Sequence, residues 1–268
     1  MKLKLTFNYL FLIVFAIVAL FPFYWMFTTA FSQHTFISDP QIIPIPFYSG
    51  AIRDVVFRHS FLRWIFNTAL ITGIAAIGNV LVASLAAFAF ACIRFKGRDL
   101  IFYVLLSTMI LPGFLMIVPR FFIMAKLGWL DTYQGVFVVF WFVMFSTFLL
   151  RQYYLSISSD TLNAARIDGC SLWKMYTKLI LPMSKPVLLT LFIIRFVQVW
   201  NSFLWPVIVL RSNQMKTLTV GMSEFYGIYM TEYNKIMAGG LISLIPIILI
   251  FIFFAKQIEK GLQFQLKT

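Results

Sequence analysis

The sequence predicts an all-α polytopic membrane protein with six transmembrane helices, and three observations carry that prediction. Of 268 residues, 61% are hydrophobic and only 12% are charged, which is too few polar side chains to cover a water-soluble surface. The apolar residues fall into six runs, each close to the roughly 20 residues a helix needs to cross a bilayer. The formal net charge of +13 is dispersed between those runs rather than gathered into a basic stripe, so it fits membrane topology and excludes nucleic acid as the expected partner. The lipid bilayer is the partner that composition alone implies. Cys92 and Cys170 make no disulfide framework, and with His34 and His59 they are too few for a metal cluster.

Taken in order, the first run is 9–31. Lys2 and Lys4 precede it as in a signal peptide, but FPFYWMFTTAF stands where small cleavage-site residues would be needed, so the run reads as a retained span. The others are 66–91, 101–123, 134–150, 187–210 and 237–256. Six crossings put both termini on one side, and Arg94, Lys96, Arg98, Arg151, Arg166, Lys174 and Lys178 place the 92–100 and 151–186 loops, and hence both termini, in the cytoplasm. Outer loops are expected at 32–65, 126–133 and 211–236, the first containing IIPIPF at 42–47, which prolines keep from regular helix. The predicted organisation is an N-terminal span and outer loop over 1–62, a transmembrane core over 63–260 containing the 151–186 loop, and a cytoplasmic tail over 261–268.

The loop 151–186 is the informative stretch. Asp160 is placed to cap a short helix from Thr161 to Asp168, ended by Gly169, which enters the left-handed region without steric cost. Ser171 is placed to cap a second helix, Leu172 to Ile180, stopping at Leu181-Pro182. Small side chains at Ala164 and Ala165 would let another protein's backbone approach closely. The same periodicity also suits an amphipathic connector lying on the lipid surface, and the pattern does not choose between the two.

AARIDG at 164–169 followed by Ile180-Leu181-Pro182 resembles the coupling loop of binding-protein-dependent ABC importer permeases. The longer stretch NAARIDGCSLWKMYTKLILPMSKP resembles the carbohydrate-uptake branch, in its smaller six-span subunit, similar to the inner-membrane permease of the maltose system. FPFYWMFTTAF, FLRWIFNTAL, LAAFAFACIRFKGRDLIF, MILPGFLMIVP, LGWLDTYQG, VWNSFLWPVIVL and TLTVGMSEFYG extend the resemblance over about 9–260. It implies the type I ABC importer permease fold with a cytoplasmic coupling helix, in a bacterial or archaeal cytoplasmic membrane. The implied partners are a second homologous permease, two cytoplasmic ATPase subunits that bind ATP and Mg, and an extracellular or periplasmic solute-binding protein. The implied cargo is a carbohydrate, foremost an oligosaccharide, with glycerol phosphate or uronate oligosaccharides as alternatives. Within the loop, the resemblance assigns ATPase docking to Leu162, Ala164, Ala165 and Ile167, bracing to Asp168 and the turn to Gly169. Two residues depart from the family pattern. Asn163 replaces the usual glutamate, at what would be the third helical position after an Asp160 cap, and Ser158 stands where proline is frequent.

No phosphate-binding G-x-x-x-x-G-K-[ST] loop is present, so ATP hydrolysis is expected in the partners and the chain itself is not expected to be an enzyme. In the fifth run, Gln198, Asn201 and Trp205 have spacings that put them near one helical face, lining either a translocation path or the interface with the second permease. Arg195 reads as an anchor that snorkels or pairs. In the last outer loop, Glu224, Tyr226 and Tyr229 are candidate contacts for the binding protein, or interfacial aromatics of the ordinary kind. A non-transporting scaffold and an intramembrane enzyme are the rival classes; the latter lacks convergent acids or metal ligands at membrane depth.

Overall fold

The computed structural model describes residues 2–33, 42–58, 60–226 and 231–265. Three unbroken helices are long and apolar enough to cross a bilayer: α1 (Lys2–Ala30), α3 (Phe61–Cys92) and the last helix (Tyr233–Gln265). A short helix, α2 (Gly50–Arg58), lies inside the expected 32–65 loop, and α3 begins at Phe61, so the helix runs unbroken past residue 62. Between Arg98 and Trp200 the chain forms three bent pairs rather than three rods. They are α4 (Arg98–Ser107) with α5 (Ile117–Lys126), α6 (Tyr133–Phe137) with α7 (Met144–Leu155), and the segment Leu172–Met183 with the helix Lys185–Trp200, bent by 101°, 41° and 74°.

Each bend has a local cause. In the first pair Leu111 is extended (φ −75, ψ 121), as the residue before Pro112 prefers, so the expected single span 101–123 is broken there. In the second, Val143 is extended (φ −131, ψ 115). In the third, Ser184 leaves helical geometry two residues before Pro186, which cannot donate to the preceding turn.

The described residues divide into two compact units. The first comprises 1–65 and 218–247. Along 9–27 most apolar side chains of α1 are exposed, as suits a helix bathed in lipid. Trp64, Phe61 and Phe225 are buried together, and α13 (Leu218–Met222) fits beside them because a Cβ on Gly221 would come within 2.2 Å of the Trp64 ring. Lys235 bridges Asp54 at 2.6 Å and Glu232 at 2.8 Å. Lys235 and Asp54, with Arg53, Tyr48 and Asn234, border an open hollow of about 1090 Å³.

The second unit comprises 66–217 and 248–268 and holds several apolar cores. One packs Ala83, Ala87 and Phe88 of α3 against Leu150 and Tyr154 of α7 and against Met175, Tyr176, Ile180 and Leu191. Another packs Ile71 and Ala75 against Met124, Val136, Val199, Trp205 and Val209. Where α6 meets α7, Gly78 leaves room for the Trp141 indole; a Cβ there would stand 2.1 Å from its Nε1. That Nε1 donates to the Ile74 carbonyl (3.3 Å), and the neighbouring Asn79 donates through Nδ2 to the Trp141 carbonyl (2.9 Å) while its Oδ1 accepts from Ser146 Oγ (2.8 Å).

Candidate functional site

The helix α8 (Ser159–Ile167) starts two residues earlier than the sequence suggests. Ser158, not Asp160, is the N-cap: its Oγ accepts from the Asp160 N–H at 3.2 Å, leaving the Asp160 carboxylate in the first turn, where it favours the helix dipole. The end is a Schellman turn. Cys170 N–H donates to the Ala165 carbonyl (3.0 Å), Gly169 N–H to that of Arg166 (3.1 Å), and Asp168, the C-cap, to that of Ala164 (2.9 Å). Gly169 is left-handed (φ +70) with open space where a Cβ would point, so a side chain there is opposed by backbone strain rather than by a clash.

The shifted start corrects the reading of Asn163. It lies beyond the third helical position, so a glutamate there would close no reciprocal box with the cap. Instead its Oδ1 accepts from Arg166 Nη1 at 3.1 Å, and Arg166 Nη2 donates to the carbonyl of Cys92 at 3.2 Å. Arg166 thus ties α8 to the C-terminal end of α3, where unpaired carbonyls favour a cation. Sequence reasoning passed it over; the i, i+3 spacing from Asn163 was its only local signal. The docking set also divides. Leu162 and Ala165 pack against the α3–α7 core, while Ala164 is exposed and Ile167 is 86% exposed.

Ser171 does cap the next helix, α9 (Leu172–Met175), accepting from Lys174 N–H at 3.3 Å. The chain does not stop at Leu181-Pro182. A π-helical turn, Tyr176–Ile180, leads into α10 (Leu181–Met183), a wider ladder that accommodates a proline unable to donate backward. Leu172 and Trp173 are exposed beside α8, and Met175, Tyr176 and Ile180 are buried.

Gln198, Asn201 and Trp205 do not share a helical face. Helix α11 (Lys185–Trp200) ends with Asn201 as its C-cap, and Trp205 belongs to a separate helix, α12 (Leu204–Val209). The cause is Pro206, which cannot donate to the Ser202 carbonyl and whose ring would clash with it, so the helix opens upstream of the proline. Trp205 is buried and donates through Nε1 to the Gly135 carbonyl at 3.0 Å, which makes it a packing residue rather than a lining one. Gln198 and Asn201 are exposed; Asn201 Nδ2 donates to the Val197 carbonyl of its own helix at 2.8 Å. Arg195 does not snorkel. It is buried, donates through Nη1 to Gln198 Oε1, and its Nε has no partner among the described residues.

Beyond α12, Asp131 holds the chain from the side. It is left-handed (φ 55), its N–H donates to the Val209 carbonyl (2.9 Å), and its Oδ1 accepts from the N–H groups of Arg211 (2.8 Å) and Ser212 (3.0 Å). Desolvation pushes its carboxyl up, but those two N–H groups and the Arg211 charge outweigh it and hold it below the usual carboxylate range. Glu224 and Tyr226 are exposed near α14 (Tyr233–Gln265), with Tyr226 bridged to Thr231; Tyr229, His34 and His59 lie outside the described residues.

Residues 79–264 match the family of binding-protein-dependent transport system inner membrane components. The arabinooligosaccharides transport system permease protein AraQ of Bacillus subtilis (strain 168) is 31% identical over 224 residues, 84% of this chain and 79% of the relative. The trehalose/maltose transport system permease protein MalG of Thermococcus litoralis is 31% identical over 257 residues, 93% and 92% of the two chains. A chain from the crystal structure of a bacterial ABC transporter involved in the import of the acidic polysaccharide alginate superposes with a TM-score of 0.83 at 23% identity, covering 95% and 96%. Bent spans, a Schellman-closed helix carrying the AARIDG run and these matches lead to one assignment: the chain belongs to the inner-membrane permease family of binding-protein-dependent ABC transport systems.

Proposed function

We propose that the chain is the smaller, six-span permease of an ATP-driven importer that accepts carbohydrate, foremost an oligosaccharide, from a solute-binding protein. The observation that carries this reading is α8, a capped and closed helix tied to α3 through Arg166, with Ala164 and Ile167 turned outward. It has the form of a rigid knob for a neighbouring protein. Both termini and α8–α10 face the cytoplasm, where two ATPase subunits carrying ATP and Mg receive the knob. Gln198 and Asn201 face the translocation path or the second, homologous permease, and Glu224 and Tyr226 face the binding protein. The chain is a carrier of motion and not itself an enzyme. The carbohydrate cargo is supported by what the names of AraQ and MalG say of those proteins.

The test is purification of the complex through this chain, reconstitution into vesicles, and uptake of a panel of labelled arabino-, malto- and uronate oligosaccharides. Uptake is expected only with MgATP and the co-purified binding protein. A six-span protein recovered alone, or ATP hydrolysis without uptake of any panel sugar, would favour a scaffold and overturn the importer.

A further inference from the structure

Three hydroxyl groups meet inside the second unit without any role in docking or in the solute path. Ser84 Oγ lies 2.8 Å from Tyr154 Oη and 2.9 Å from Tyr176 Oη, and all three residues are buried, at 1%, 1% and 4% exposure. A serine hydroxyl has one proton and two lone pairs, so Ser84 can hold both phenols at once, in a chain in which each hydroxyl donates to the next. The three come from different elements: Ser84 from α3, Tyr154 from the end of α7, and Tyr176 from the π-helical turn that follows α9. Ser84 lies eight residues before Cys92, about 12 Å along the helix axis from the end that Arg166 grips.

Beside the apolar core that packs Met175 and Ile180 against α3 and α7, two further hydrogen bonds between the α8–α10 segment and the spans are wet by comparison. Arg166 and Tyr153, which donates to the Met183 carbonyl at 2.8 Å, are exposed or half-exposed. Bonds open to water exchange readily with solvent and transmit little displacement, whereas a dry hydroxyl bridge has no water competing for it. A π-helical turn such as Tyr176–Ile180 is rare in helices and is found frequently at functional sites.

We propose that Ser84 is a positioning residue for coupling, the point at which Tyr176 hands movement of the α8–α10 segment to the long span α3, while Tyr154 seats the serine. This rests on the importer reading above. In the reconstituted complex, with the panel sugar that is taken up as probe, the readout is ATP hydrolysed per sugar transported. Tyr176→Phe removes one hydroxyl and keeps the ring, and is expected to raise that ratio about fivefold, the weight of one hydrogen bond. Ser84→Ala is expected to do the same, the double variant no more than either alone, and Ser84→Thr to restore the normal ratio. Tyr154→Phe leaves the Ser84–Tyr176 bond in place and is expected to cost thermal stability with little change in ratio. An unchanged ratio in Tyr176→Phe and Ser84→Ala, or an equal rise in Tyr154→Phe, would reduce the bridge to core packing. Vesicles of the unaltered complex that take up nothing overturn the importer, and the coupling role of Ser84 with it.

Discussion

The fourth and fifth spans both break, and an asparagine serves each break, yet the two are held in opposite ways. At the α6–α7 break the asparagine comes from another helix: Asn79 of α3 is fully buried and occupies both the Trp141 carbonyl and the Ser146 hydroxyl. At the α11–α12 break Asn201 is exposed and caps its own helix. The first break is therefore fixed by tertiary structure through its asparagine, and the second is braced beyond it, where Trp205 reaches Gly135 and Asp131 reaches Val209, Arg211 and Ser212. Polar capacity is spent inward at one break and left facing outward at the other.

The contrast can be broken from its rigid side first. Asn79→Leu should cost about 3 kcal/mol, since it strands a part-buried carbonyl and a buried hydroxyl, seen as a lower midpoint of thermal unfolding in detergent. Gly78→Ala should cost about 2 kcal/mol by overpacking against the Trp141 indole; full stability in that variant would show that the break adjusts freely. From the looser side, Asn201→Ala should cost under about 1 kcal/mol yet change sugar uptake or permease pairing, whereas Trp205→Phe should cost about 1 kcal/mol with no change in the sugar concentration for half-maximal uptake. A reversal of those two outcomes would restore Trp205 to the path. The smallest effect concerns pH. The Asp131 carboxyl is held low in the folded chain, so its contribution is present above the ordinary carboxylate pKa of about 4 and is lost as pH falls through the lower folded value. Hydrogen exchange at Arg211 and Ser212 should speed up in that acid window and not between neutral and mildly basic pH.

These particulars show what the sequence discloses. The six apolar runs, the glycine turn at 169 and the Ser171 cap were legible because each depends on nearest neighbours in the chain. The cap of α8 was not, because Ser158, Ser159 and Asp160 are all competent acceptors and only backbone geometry selects one. The break at 201–203 was obscured because its cause, Pro206, acts four residues upstream of itself on a carbonyl. Asn79, Ser84 and Arg166 escaped notice because their partners lie 62 to 92 residues away, or 74 in the last case, and a long-range bond leaves no mark in local pattern.

The outward face of α8 and α9 has a consequence for the supply of subunits. Ile167, Leu172 and Trp173 are exposed within the short stretch 167–173, on a segment that also carries Arg166 and Lys174, so large apolar side chains stand in the open there. A copy synthesised ahead of its neighbours displays that patch to chaperones, proteases and other copies of itself. If α8 and α9 dock on an ATPase as proposed, balanced production of the subunits is a solubility requirement of the permease, and overproduction of this chain alone is expected to yield aggregates that co-expression of that ATPase relieves.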